Sequence, residues 1–306
     1  MKRFLLCLSL GCMVCLMGVQ NGYAGALWDN ATDDGWKMPG LARDVAIGGT
    51  GAANDDIVWM IEKATPRRKR GGVVCQWIPE TQSWQRYPEI TGEHITVDQG
   101  GVAWVADSDG KLYKWNKFDK KFELISAGAS HPAKDIAVGK NGNPYYIWVI
   151  DRNDNQIYQW IGGGSWYPIP FPSNLGIPAR IDIDMFDRPW IVTEAGLIFF
   201  FNGYDDNGNP IWINYSVTVK NGRRYTMYAT DISVDLNGWE VWITTKANRP
   251  EAGRLYYTLV PDQEVDPIPP AYWYMGPDNK GTRLDASEGE IIVCQSTGEI
   301  WWVSLE

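Results

Sequence analysis

The chain has 306 residues, 28 basic and 37 acidic side chains, a formal net charge of −9 and 17 tryptophans. That sign excludes a general nucleic-acid binder, whose affinity comes from neutralising phosphates, and the length admits one large all-β domain or two ordinary ones. Beyond the first segment no run of 18 uninterrupted apolar residues occurs, so no membrane span is expected once that segment is removed.

Lys2 and Arg3 precede an apolar run from Phe4 to about Val19, followed by the small residues Ala24 and Ala26. A charged start, a short apolar run and an A-x-A-like site are the layout of a secretory signal peptide. Residues 1–26 are therefore expected to be a signal, and the mature chain to be secreted or periplasmic. Its removal leaves only Cys75 and Cys294, too few for a disulfide framework; the two fall in the first and last repeats, where one bridge is open to them, and their strand placement favours two buried free thiols. The basic run "PRRKR" at 66 to 70 reads as a solvated loop.

From residue 44 onward three short runs recur in fixed order. The first is "DVAIG" at 44, "HITVD" at 94, "DIAVG" at 135, "RIDID" at 180, "DISVD" at 231 and "RLDAS" at 283. The second is "IVWMI" at 57, "VAWVA" at 102, "YIWVI" at 146, "RPWIV" at 188, "EVWIT" at 240 and "EIIVC" at 290. The third is "VVCQW" at 73, "KLYKW" at 111, "QIYQW" at 156, "LIFFF" at 197, "RLYYT" at 254 and "EIWWV" at 299. Self-similarity at periods of about 40 to 50 residues signals a repeat architecture.

Each run is rich in β-branched and aromatic residues and is bounded by Gly, Asn and Asp turns, the pattern of short antiparallel strands in hairpins. A fourth run, such as "SWQRY" at 83 or "PIWIN" at 210, follows in five copies, whereas the sixth copy reaches Glu306 without one. "GWKMPG" at 35 to 40 has the Trp-then-Pro form of that fourth run and precedes the first copy. Radial arrays of four-stranded sheets expose edges unless they close. The expected fold is all-β: a six-bladed β-propeller of four-stranded antiparallel blades over 27–306, closed by an N-terminal strand near Trp36. Pro189 removes an amide donor from a strand inside its sheet, so a bulge or weakened pairing is expected there.

The segments "WYPIPFPSNLGIPARIDIDMFDRPWIV" and "DIAVGKNGNPYYIWVI…IYQW" resemble the tectonin repeat, with Trp and a Pro/Gly turn, a "D-I-A-V-G" strand, a Gly turn, "V-W-V" and "I-Y-x-W". The last copy departs from it, with Ile292 replacing the second-strand Trp. The resemblance implies a class of propellers that includes secreted lectins with sites repeated around the ring, and adaptor or scaffold versions.

Trp59, Trp104, Trp148, Trp190 and Trp242 form one column of the repeat. Aromatic rings of this size fill seams between blades, or line clefts where a ring face stacks on a sugar and nearby carboxylates take its hydroxyls. Asp98, Asp184 and Asp235, at the fifth position of the first run, are the candidate polar partners; its first position offers Asp44, His94, Asp135, Arg180, Asp231 and Arg283. The primary expectation is non-catalytic carbohydrate binding to glycans or glycoconjugates at several sites. The alternative is a scaffold for a secreted or envelope protein, and a glycosidase is the lesser reading. His94 and His131 have no accompanying nucleophile motif, and the loops at Asp151 and Asp205 lack the sixth-position Gly and twelfth-position Glu of a calcium loop. No catalytic residue, metal or cofactor is expected.

Overall fold

The computed structural model describes residues 36–49, 57–63, 71–125, 130–139, 147–220, 223–235, 239–246, 252–261, 271–287 and 290–304. The predicted signal segment and the basic run at 66–70 lie outside them. The strands are, in chain order, β1 (Trp36–Met38); β2 (Ala42–Gly48), β3 (Ile57–Glu62), β4 (Gly72–Ile78) and β5 (Ser83–Gly92); β6 (His94–Val97), β7 (Ala103–Ala106), β8 (Leu112–Asn116) and β9 (Lys121–Ile125); and β10 (Ala133–Val138), β11 (Ile147–Asp151), β12 (Ile157–Trp160) and β13 (Trp166–Ile169). They continue as β14 (Pro178–Ile183), β15 (Pro189–Thr193), β16 (Ile198–Tyr204) and β17 (Pro210–Asn214); a hairpin of β18 (Val217–Lys220) and β19 (Arg223–Thr226); β20 (Ala229–Val234), β21 (Glu240–Thr245), β22 (Arg254–Leu259) and β23 (Tyr274–Lys280); and β24 (Arg283–Ser287), β25 (Glu290–Cys294) and β26 (Ile300–Ser304).

Five sheets of four consecutive strands form blades 1 to 5, and β24, β25, β26 and β1 form blade 6. The closing strand pairs antiparallel with the last one, with Trp36 opposite Trp302, Lys37 opposite Trp301 and Met38 opposite Ile300. Met38 is buried against blade 6 residues Ile292 and Ile300 and blade 1 residues Val45 and Met60. The strand near Trp36 thus contributes both ladder bonds and apolar burial to the ring closure.

The core lies in the seams between adjacent blades rather than at one centre. Trp59 and Ile61 of blade 1 cluster with Val97 and Val105 of blade 2, and Trp104 and Ala106 of blade 2 cluster with Ile136 and Val138 of blade 3. This is why the second-strand runs are apolar throughout: both faces of each sheet are covered.

A backbone motif stitches the seams. The amides of Ala42, Ala133, Ala229 and Gly281 donate to the carbonyls of Gly298, Gly110, Gly196 and Gly253 on the preceding blade, at 2.7 to 2.9 Å. These turn glycines all have positive φ, and at Gly110 a Cβ would lie 2.6 Å from the Pro132 carbonyl carbon. Only glycine supplies both the left-handed turn and the close approach.

Pro189 begins β15 and pairs in regular register with Ile183, so the expected bulge does not occur there. At the start of a strand its missing amide costs little, and pairing with β16 begins one residue later, at Trp190. Register shifts occur instead between Ala42 and Asp44, Ala133 and Asp135, Pro178 and Arg180, and Ala229 and Asp231. A bulge re-aims the residue that follows it, and each of these precedes a charged residue of the central channel.

Candidate functional site

The five column tryptophans are sealed: Trp59, Trp104, Trp148, Trp190 and Trp242 are between 0% and 2% exposed. With both ring faces covered, none presents a stacking surface to a sugar, which corrects the cleft reading of this column. Ala46, Thr96, Ala137, Asp182 and Ser233 stand opposite them in the ladders. Residues no larger than Thr or Asp there leave room for an indole.

Asp98 and Asp184 serve the same rings. The indole Nε1 of Trp104 donates to Asp98 Oδ2 at 3.2 Å and that of Trp190 to Asp184 Oδ2 at 3.0 Å. Asp98 Oδ1 accepts the Val102 amide, and Asp184 Oδ1 accepts those of Phe186 and Arg188. Asp184 also takes Arg188 Nε at 2.7 Å. Both carboxylates therefore fasten a hairpin turn to a buried tryptophan, and neither faces a cleft. Blades 1 and 3 carry Gly48 and Gly139 in this position, and the indole nitrogens of Trp59 and Trp148 are buried without a partner among the described residues. In blade 5 Trp242 uses Glu240 instead, at 3.0 Å, while Asp235 is buried at the end of its first strand. Burial, helped by Asp235, holds the Glu240 carboxyl above its ordinary range. The eight predicted residues are thus spread around the seams and converge on no single site.

The first-position residues do converge. Around the channel acidic residues alternate with basic residue types: Asp44, His94, Asp135, Arg180, Asp231, Arg283. His94 Nδ1 lies 3.4 Å from both Asp44 and Asp135. Arg180 reaches Asp135 at 3.8 Å and Asp231 at 3.3 Å, and Arg283 reaches Asp44 at 3.8 Å. The carboxylates also accept backbone amides of the following blade, from Ile95 to Asp44, Ile181 to Asp135 and Leu284 to Asp231, at 2.9 to 3.1 Å. The innermost strand of each sheet has an unpaired edge facing the channel, and these bonds satisfy donors that would otherwise be orphaned.

A second layer comes from the third position of alternate blades. Asp182 accepts the Val234 amide at 2.5 Å, and Asp285 accepts the Ile47 amide at 2.8 Å and the Ser233 hydroxyl at 2.7 Å. Blade 2 has Thr96 there. The six-fold repeat is therefore a three-fold repeat of blade pairs, in which odd blades supply the first-layer acid and even blades a cation plus a second-layer acid. Blade 2 departs at both places, with His94 for Arg and Thr96 for Asp.

Burial dominates the electrostatics. It raises the Asp135 and Asp231 carboxyls against the opposing pull of Arg180, and burial together with the neighbouring Asp182 raises Asp285 to about 8. Burial alone would lower Arg180, but Asp135 and Asp231 outweigh it and hold the guanidinium above its ordinary value. The cavity these groups enclose is about 40 Å³, room for about one ordered water. It is a charged plug, too small for a sugar ring or a peptide side chain.

Larger features lie on the outside. At the closing seam a cleft of about 420 Å³ is lined by Trp36, Met38, Leu41 and Trp77, with Lys37, Gln82 and Glu299 at its rim. At one end of blade 5, where its first strand ends and its second begins, Trp239, Leu259, Tyr272 and Tyr274 are each about half exposed. Phe186 of blade 4 meets Trp239 edge to face at 5.6 Å, extending this apolar surface across a seam. The β18–β19 hairpin, which the repeat pattern conceals, is anchored beside it: Thr218 forms a bridge with Ala271, and Trp273 Nε1 donates to the Tyr215 carbonyl at 3.0 Å.

No protein-family model matches the chain, and no curated protein matches it; the tectonin likeness thus has no family match behind it. Among solved structures, the RRP9 WD40 repeats are similar at 10% identity over 90% of this chain and 98% of that one, with a TM-score of 0.56. Virginiamycin B lyase from Staphylococcus aureus is similar at 14% identity over 90% and 96%, TM-score 0.50. YCF48 bound to D1 peptide is similar at 15% identity over 87% and 77%, TM-score 0.50. Identities this low show the fold alone, and with the six four-stranded sheets, the last completed by β1, they establish this chain as a six-bladed β-propeller.

Proposed function

We propose that the chain is an exported, non-catalytic propeller that holds a protein partner at the Trp239–Tyr274 end of blade 5. The carrying observation is the grouping there of Trp239, Leu259, Tyr272 and Tyr274, half exposed and continued by Phe186. Aromatic side chains with an apolar body and a polar tip are favoured at protein interfaces. Similar propellers include WD40 repeats and a structure holding a peptide, which supports the reading by analogy of fold. Export rests on the N-terminal segment. The histidines are engaged structurally, His94 between Asp44 and Asp135 and His131 against Asp151 at 2.8 Å and stacked on Tyr158.

The test is affinity capture from envelope and culture fractions with the tagged full chain. A partner retained in free sugars and lost with Trp239→Ser plus Tyr274→Ser supports the reading; a partner held equally by that variant contradicts it.

A second reading, glycan binding, is favoured by the cleft at Trp36, which combines an exposed indole with amide and carboxylate groups of Gln82 and Glu299. Quenching of tryptophan fluorescence by a sugar, abolished in Trp36→Ala, would support it. Quenching that survives Trp36→Ala would remove this cleft as its site.

A further inference from the structure

We propose that β19 is an open sheet edge that takes an acidic, extended segment of the partner as an added strand. This rests on the protein-interaction reading and names the chemistry of the partner. The hairpin is a two-stranded sheet of its own, with Val217 opposite Thr226, Thr218 opposite Tyr225 and Val219 opposite Arg224. Its inner strand is occupied, because Thr218 is buried and bridged to Ala271 of blade 5. Its outer strand has no such neighbour among the described residues. All four side chains from Arg223 to Thr226 are exposed, and among the described residues no other strand pairs with that edge.

An edge strand presents a row of amides and carbonyls ready to pair with another chain. The side chains on this one select by charge. Arg223 and Arg224 form no ion pair among the described residues, whereas Arg43, Arg86 and Arg152 each grip a glutamate at 2.8 to 3.1 Å. Pairing with a second copy would gather four guanidinium groups on one short ladder, which is unfavourable. An acidic strand would instead meet opposite charge on both faces of the ribbon, with Tyr225 beside it as an aromatic contact. The net charge of −9 does not prevent this, since charges beyond about 8–10 Å are largely screened at physiological salt.

The experiment measures fluorescence anisotropy of a labelled, capped peptide of alternating Glu and Val on the full chain. Saturable binding is expected, weakened about tenfold or more by Arg223→Glu with Arg224→Glu, a loss of about 1.4 kcal/mol. A peptide with a central Pro should lose binding because it cannot complete the ladder, and a Lys–Val peptide should not bind. Arg223→Gln with Arg224→Gln provides a gentler variant if the charge reversal disturbs folding. Absence of saturable binding, or equal binding by the Gln variant, overturns the proposal. Equal binding by the Pro peptide also overturns it, by reducing the contact to charge alone. If the peptide fails while capture through Trp239 and Tyr274 succeeds, the edge assignment falls and the interaction reading stands; if capture fails as well, the reading falls with it.

Discussion

Trp190 and Asp184, six residues apart across one hairpin turn, are joined by a 3.0 Å hydrogen bond from indole Nε1 to a fully buried carboxylate. Trp148 occupies the same place in blade 3 with no acceptor for its indole N–H among the described residues. Replacing either by Phe removes similar apolar volume, but only Trp190→Phe also deprives a buried carboxylate of a donor. Trp190→Phe is expected to cost about 1 kcal/mol more than Trp148→Phe, read from urea unfolding midpoints. Equal losses would contradict the assignment of Asp184 as a fastener of Trp190.

The architecture was legible in the sequence because its signals are local and repeated. Six Val, Ile or Leu positions from Val45 to Leu284 mark the innermost strands, and the Trp-then-Pro form of residues 36–39 marks the closing strand. The alternation of acid and base at the first position was equally present, but it becomes meaningful only once closure makes Arg283 a neighbour of Asp44. Exposure of the Trp column was not legible, since an indole in a seam and one in a cleft have the same sequence. The β18–β19 hairpin hides because its strands lie within a 51-residue interval, from Ile181 to Ile232, that resembles the other periods.

Arg180 stands between Asp135 and Asp231, so Arg180→Gln would leave two buried carboxylates without their shared cation. Breaking a buried pair from one side costs about 3–5 kcal/mol. Arg283→Gln is expected to cost less, because its side chain is 22% exposed and its contact with Asp44 is longer, at 3.8 Å. Chemical denaturation of both variants checks the order, and a larger loss at Arg283 would contradict it.

The departure of blade 2 makes a paired exchange informative. Thr96→Asp alone adds a sixth carboxylate to the channel and should destabilise the chain, whereas adding His94→Arg restores the pattern of blades 4 and 6. The double-mutant cycle is expected to show favourable coupling of about 0.5–3 kcal/mol. Additive losses would show that the blade-pair pattern has no energetic content.

Asp285 sets the sign of a pH effect. Its folded carboxyl is raised from an ordinary 3.8 to about 8 by burial and Asp182, so the folded chain retains a proton that the unfolded chain releases. That contribution to stability is fully present below the unfolded value and is lost as pH rises through the window up to about 8. Burial gives Asp135 and Asp231 the same sign. Thermal melting at a series of pH values should show a steeper decline toward alkaline pH in the natural chain than in Asp285→Asn. An unchanged slope in the variant would place the proton elsewhere.

Under the proposed function, partners dock on the blade 5 end and not in the seams or the channel. The most direct measurement is a photo-crosslinker scan in the native setting, with a benzoylphenylalanine placed in turn at Tyr272 and Tyr274 on blade 5, Phe118 on blade 2 and Tyr167 on blade 3. One protein adduct is expected from positions 272 and 274 and none of that mass from 118 or 167. The same adduct from blades 2 and 3, without one from blade 5, would contradict it.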